Sequence, residues 1–361
     1  MTTIDFHIMR RFLMGTVFLI GCLIVFFVVL HYVEFVDDFF DRGASMSQVF
    51  LEYYPNFIPD IVRLTSPLAV FLSCVYLTGK LSQQLQLAAL QTSGVSLYRL
   101  LLPYLVVAVF ISGFMFWFNG WIVPKTNQTV IEFEQKYLKN KQQQLDPSDI
   151  HRQNSPESMV SVGFYDRVAQ VAHKVSIQHF SDDRHLRARL DAKRMAWVDS
   201  LGIWRLHDIT ERSFSPEGMT QYRKIEDLDT TLTIYPRDLA RTEREVESMT
   251  IPDARNYIDA LRRSGANNTG RTLVGYQSKF AYPLANLIVV LIGMPLASVR
   301  RRGGQAVQIG LGLLIAFFYL ATMKLVEPFG YTGELSPTMA AWLPHVLFAL
   351  LGLFFIFRAR K

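Results

Sequence analysis

Six ionisable residues, Glu34, Asp60, Arg63, Lys279, Lys324 and Glu327, stand inside or at the edge of long apolar stretches. A charge in hydrocarbon is costly and is often kept for function. Two readings of these residues stay open: long side chains that snorkel or pair with one another, or groups that line a cavity for an amphiphile at one membrane face. A second segment with chemical character is Gly79 to Arg99, GKLSQQLQLAALQTSGVSLYR. Here Ser82 can cap a short amphipathic helix running to Ser93, and Gly94 can end it. Leu81, Leu85, Ala88 or Ala89, and Thr92 share one stripe, while Gln83, Gln84, Gln86 and Gln91 supply neutral hydrogen-bonding groups. A short helix of small residues, joined rigidly to its neighbours, suits docking into a cleft of another protein; a reentrant or interfacial helix is the plainer reading.

Catalytic patterns are missing. Gly79-Lys80 is followed by leucine and lacks the upstream glycine of a phosphate-binding P-loop, so ATP is not bound in that manner. The chain has no HExxH, CxxC or GxSxG motif. His151, His173, His179, His185 and His207 lack metal-ligand spacing. His345 reads as a helix-to-helix hydrogen-bonding group. The two cysteines, Cys22 and Cys74, lie in apolar segments and suit helix packing. No catalytic residue, metal ligand or cofactor of this chain's own is therefore expected.

The elements that position these residues follow from charge distribution. The 361 residues are 50% hydrophobic and 19% charged, against about 25% charged in a typical soluble domain. Of 68 charged residues, 45 fall between Pro124 and Leu273, so the chain joins two materials. A span needs about 20 mostly apolar residues. Six stretches qualify: Phe12 to Leu30, Phe57 to Gly79, Leu97 to Val123, Tyr276 to Val299, Val307 to Pro328 and Met339 to Phe357. Phe12 to Leu30 is too long for a signal-peptide core and reads as a retained span. One set of ends carries Arg10, Arg11, Lys80, Arg99, Arg300, Arg301, Arg302, Arg358, Arg360 and Lys361 against the single acid Asp5. The other set is net acidic, with Glu34, Asp37, Asp38, Asp41, Glu52, Asp60, Glu327 and Glu334. The positive-inside rule puts both termini in the cytoplasm and the charged middle outside it. Orientation thus accounts for the net charge of +6, and a nucleic-acid partner is excluded.

Within the middle, Met159 to Phe164, Val168 to Phe180, Leu186 to Asp199, Gly202 to Phe214 and Met219 to Ile234 alternate like strands. Turn-like breaks at Tyr165-Asp166-Arg167, Ser181-Asp182-Asp183, Ser200-Leu201-Gly202 and Ser215-Pro216-Glu217-Gly218 separate them. Hairpin-length strands in series predict a sandwich, a jelly roll or a similar curved sheet whose apolar face is a core or an open groove. Polar helices are expected at Asn127 to Lys139, continuing the third span, and at Ile251 to Ser264. The expected organisation is a membrane α-helical protein with an inserted all-β, jelly-roll-like domain. Residues 1–123 hold three helices and the docking helix at about 81–94, residues 124–274 the β domain, and residues 275–361 three more helices.

The Gly79 to Arg99 segment resembles the coupling helix of the LptF/LptG permease family of the lipopolysaccharide exporter. Phe35-Val36-Asp37, Val123-Pro124, Asn256-Tyr257 with Ser264-Gly265, Lys279 to Leu284, Gly293-Met294-Pro295-Leu296 before Arg301-Arg302-Gly303-Gly304, Gly310-Leu311-Gly312 and Ala341-Trp342-Leu343-Pro344 extend the resemblance over the chain. The Phe35-Val36-Asp37 element and Ser93-Gly94-Val95 look more like the LptG branch than LptF. The resemblance implies an inner-membrane transport subunit that is not an enzyme. It would pair with an LptF-like permease, dock an LptB-like ATPase dimer that carries the ATP and magnesium, and pass lipopolysaccharide from the outer leaflet to LptC-like and LptA-like bridge proteins in the periplasm. The coupling positions carried over are Leu81, Ser82, Leu85, Gln86, Ala88, Ala89, Thr92 and Gly94. Two departures stand out. The family's usual glutamate is Gln86 here, and its basic groups near the outer mouth are Glu34, Glu132 and Glu134. Phosphate binding is therefore not carried over to those positions, and Arg63, Lys125, Lys136, Lys279 and Lys324, with Glu34 through a bridging cation, are the candidate lipid-cavity residues. An LptF-like paralogue, and a membrane sensor or scaffold with a ligand-binding β domain, are the alternatives.

Overall fold

A computed structural model describes the chain except residues 1–2, 139–149, 156, 167–168, 182–184, 200–201, 216–217, 240–242, 264–268, 300–303 and 359–361. Arg300 to Arg302, Arg360, Lys361, Ser264-Gly265, Gly303 and parts of all four expected turns lie outside the described residues. Two compact units emerge: Met1–Tyr137 with Val246–Arg255 and Gly270–Lys361, and Leu138–Glu245 with Asn256–Thr269. The helical unit thus takes in Val246–Arg255 and the segment up to Tyr137, which the sequence had assigned to the β domain. The polar helix expected to continue the third span does so, running on to Tyr137 as part of the helical unit.

Among the described residues, six helices are long and apolar enough to cross a membrane, Thr3–Asp41, Met46–Gln83, Leu97–Glu134, Gly270–Ser298, Ala306–Thr332 and Pro337–Arg358. We label the regular elements α1 (Thr3–Asp41), α2 (Tyr54–Gln83), α3 (Gln86–Thr92), α4 (Leu97–Trp117), α5 (Val123–Tyr137), α6 (Ile251–Arg263), α7 (Gly270–Ala281), α8 (Ala285–Ser298), α9 (Gly304–Thr332) and α10 (Pro337–Arg358). At 1.5 Å per residue, the 39 residues of α1 reach about 59 Å, well beyond a hydrocarbon core of about 30 Å. The second span opens with a capping box, in which Ser45 and Gln48 satisfy each other's backbone N–H groups. Single π turns at Val49–Tyr53 and Phe118–Ile122 join α2 and α5 to the helical residues before them.

Small residues set how closely these helices approach, because lipid offers no hydrophobic drive between spans. Phe71 of α2 is seated against Gly293 of α8 and Gly312 of α9; a Cβ at Gly312 would stand 2.8 Å from its ring and one at Gly293 3.1 Å. Ser73 donates to the Phe12 carbonyl at 3.0 Å, and Gly15 leaves it the room. A core of Phe12, Phe71, Cys74, Tyr104, Met294 and Tyr319 results. Packing is uneven: 67% and 72% of the most apolar windows of spans two and four are buried, against 6% in the first and 22% in the fifth. Spans two and four are the centre, and spans one and five are held along less of their length.

The β unit is one antiparallel meander of six strands in sequential order: β1 (Ile150–Ser155), β2 (Ser158–Asp166), β3 (Val171–Phe180), β4 (Leu186–Val198), β5 (Ile203–Ser215) and β6 (Gly218–Thr230). β1 was not anticipated, since IHRQNS has one large apolar residue. Strict alternation also fails at one row. The inward residues are Val162 and Tyr165 on β2, Ala172 and Val175 on β3, Ala192 and Met195 on β4, and Leu206 and Ile209 on β5, each pair three residues apart. Lys174 and Asp208 in that row have φ of 53°, the left-handed region. Since the strands slip together, pairing continues on both sides, Val162↔Val175 and Phe164↔His173 for example. The expected strand to Ile234 ends at Thr230. The chain then crosses the core, where Trp204 donates to the Ile234 carbonyl at 2.7 Å and Thr233 bonds Asn154. On the exposed face Arg205 pairs with Asp229, holding that carboxyl below its ordinary range.

Gly310 and Gly312 give a matched test of the helix contact. A Cβ at Gly310 meets nothing within 4 Å. Gly312→Val is expected to cost about 1–3 kcal/mol by overpacking Phe71, whereas Gly310→Val leaves unfolding in detergent nearly unchanged.

Candidate functional site

The docking segment is built differently from its expected capping. Ser82 is not an N-cap: α2 continues to Gln83, and the Ser82 hydroxyl, 5% exposed, donates to the Ser298 carbonyl at the end of α8, 2.9 Å away. The chain turns instead at Leu85, whose φ of 58° has no side-chain cap to support it. Such a conformation costs a non-glycine residue about 1–2 kcal/mol. α3 then spans Gln86–Thr92, and Gly94 at φ 92° closes it with the Val95 N–H bonded to the Leu90 carbonyl. Ser96 caps α4 by accepting from the Arg99 N–H.

This geometry sorts the segment into two faces. Leu87, 4% exposed, and Leu90 face the helical core, as does Leu81. Leu85, Gln86, Ala88, Ala89, Gln91 and Thr92 are exposed. Leu85, Ala88, Ala89 and Thr92 follow the i, i+3, i+4, i+7 spacing of one helical stripe. Leu81 therefore belongs to the anchor and not to the exposed stripe. Leu87 was missed as the anchor; its spacing to Leu90 was the available signal. No residue from Leu81 to Tyr98 is ionisable at neutral pH, so the exposed face is neutral.

At the other end of α2, the candidate cavity residues are distributed unevenly. Arg63 pairs with Asp60 one turn away at 2.7 Å, and Tyr282 donates to the Leu64 carbonyl beside them. Lys279 is 5% exposed; its ammonium reaches the Glu247 carbonyl at 3.4 Å, while Asn119 donates to the Lys279 carbonyl. It thus ties α7 to the segment before α6: an ammonium this buried takes a backbone carbonyl in place of solvent. Lys324 is exposed and paired with Glu327, which also accepts from Tyr331. Glu34 is exposed on α1.

Lys125 and Lys136 are exposed on α5, eleven residues apart, and so share a face across about three turns. Glu132 is exposed between them. The Lys136 ammonium sits 4.8 Å from the Tyr137 ring centre, and its bond to that side chain raises its pKa above the ordinary lysine value. Glu134, by contrast, is engaged: it accepts from Tyr53, which also meets His31. The structure therefore brings half-buried Arg63 and buried Lys279 into one group around Tyr282, and leaves Lys125 and Lys136 as a separate pair.

Comparison with known proteins places this arrangement. Residues 7–358 match the family described as lipopolysaccharide export system permease LptF/LptG. The chain is similar to proteins named lipopolysaccharide export system permease protein LptG from two Escherichia coli strains, each 22% identical over 98% of this chain and 99% of the relative.

Burial separates the lysines experimentally. In detergent-solubilised protein, an amine-reactive reagent followed by peptide mass spectrometry is expected to modify Lys125 and Lys136 early and Lys279 last; early modification of Lys279 contradicts its assigned position.

Proposed function

The chain belongs to the LptF/LptG family of lipopolysaccharide export permeases, and from that premise we propose that it is the LptG-type subunit of an ATP-driven exporter in the bacterial inner membrane. Both termini and α3 lie in the cytoplasm, and the six-stranded sheet lies in the periplasm; the run of Arg10, Arg11, Lys80, Arg99 and Arg358 on one side supports this orientation. The subunit pairs with an LptF-like chain and takes lipopolysaccharide from the outer leaflet. LptC-like and LptA-like bridge proteins receive the lipid. The chain does no chemistry: ATP and magnesium belong to an LptB-like ATPase dimer.

One observation carries the reading: α3 is fixed to the bundle by Leu87 and by Ser82, yet offers an uncharged stripe of small residues outward. A helix held this way moves as a body with the spans that flank it, which is what a subunit driven by a separate ATPase requires. Its neutral surface docks by apolar contact and neutral hydrogen bonds. An exposed ion pair at this interface would contribute only about 0–1 kcal/mol, so Gln86 in place of glutamate is compatible with docking. For the anionic lipid, the exposed cations of α5, Lys125 and Lys136, are the groups best placed to meet phosphate.

Co-expression with an LptF-like chain and an LptB-like ATPase tests this. The complex is expected to co-purify with ATPase activity, and Leu85→Asp or Ala89→Asp is expected to weaken ATPase retention by about tenfold or more, or at least 1.4 kcal/mol. Absence of the ATPase from the wild-type complex overturns the reading. Retention by both variants shows that another face docks.

A further inference from the structure

The short helix α3 is held on each side by a side-chain bridge, and each bridge leads to one of the two loosely packed spans. On the α4 side, Arg99 in the first turn places its guanidinium on the Asp5 carboxylate of α1, with Nη1 donating to Oδ1 at 3.0 Å and Nη2 to Oδ2. Asp5 is the only acid at this cationic end and is 5% exposed. Paired N–H donors on a carboxylate fix direction as well as distance.

On the α2 side, the bridge passes through the C-terminus of α8. The last carbonyls of a helix have no partner within it. Here they are satisfied from neighbouring spans: Ser82 of α2 donates to the Ser298 carbonyl at 2.9 Å, and Gln308 of α9 donates to the Ala297 and Val299 carbonyls at 3.3 and 2.8 Å. Gln308 is 1% exposed. Three consecutive carbonyls therefore join α2, α8 and α9 without any apolar contact being required.

We propose that these are the transmission contacts of the exporter: Arg99–Asp5 links α3 to the first span, and Ser82–Ser298 with Gln308 links α3 to the fifth. The spans reached are those with the smallest share buried within this chain, 6% and 22%. Asp5, Arg99, Ser82 and Gln308 are positioning residues, which touch neither lipid nor ATP. This inference rests on the exporter reading, since it assigns α3 as the point where force enters.

The test uses the complete complex in lipopolysaccharide-containing proteoliposomes with the bridge proteins present. ATP hydrolysis and lipid release are measured together. Asp5→Arg, Arg99→Asp and Gln308→Leu are each expected to lower lipid released per ATP by at least about fivefold, with ATPase retention and hydrolysis within about twofold of wild type. Asp5→Arg combined with Arg99→Asp restores the ion pair with its polarity reversed and is expected to recover at least half of the lost coupling. Ser82→Ala, a milder change in the other bridge, lowers the ratio without loss of folding. Unchanged release per ATP in the single variants overturns the inference, as does equal loss of hydrolysis and release, or failure of the double variant to recover. A wild-type complex that lacks the ATPase is a different result and overturns the exporter reading itself.

Discussion

The contact of Phe71 with Gly293 and Gly312 sets the geometry of the whole helical unit. Without side chains at those two positions, spans four and five come close enough to the second span to enclose its ring. In hydrocarbon that closeness is the main source of helix association, because dispersion contacts and internal hydrogen bonds replace the hydrophobic drive. Span two becomes the axis of the helical unit, and both ends of that axis carry the features of interest. One end leads into the docking helix; the other holds Asp60 and Arg63 beside Tyr282.

The rigidity of this axis explains the form of the docking helix. α3 has only seven residues, too short to be stable in isolation. It persists because Leu87 and Leu90 are inserted into the core and because both flanking helices are themselves fixed. The left-handed turn at Leu85 is affordable in the same way: a conformation that a free chain would avoid is held by packing on both sides of it. The neutral surface that results differs from the strongly cationic ends around it.

The charged residues at the acidic ends of the spans were legible as a group but not by role. Sequence marks Arg63, Lys279 and Lys324 alike as cations in or beside apolar segments. The fold separates them: Arg63 has an aspartate one turn away, Lys279 is buried against a backbone carbonyl, and Lys324 is exposed beside Glu327. What divides them is which neighbouring helix lies over each side chain, and that depends on contacts far away along the chain. The sheet teaches the same lesson. Its strands were readable from alternation, yet the common slip between Val162 and Tyr165 and its counterparts was not, because one strand's period breaks acceptably only when its neighbours break with it.

By itself, the sequence determined the six apolar spans, the unequal charge of their two sets of ends, the cysteine-free strand-rich insertion and the existence of a neutral amphipathic segment after the second span. All of these depend on the types of residues close together in the chain, through hydropathy, charge and local periodicity. Tertiary structure alone decided that Ser82 bridges to Ser298 and does not cap α3, that Leu87 and Leu90 anchor while Leu85, Ala88, Ala89 and Thr92 remain outside, and that Asp5 meets Arg99. Each partner in those bridges lies about ninety residues or more away. A hydroxyl or carboxylate takes whichever donor or acceptor the packed helices bring to it, and that choice is made only once the spans have closed around Phe71.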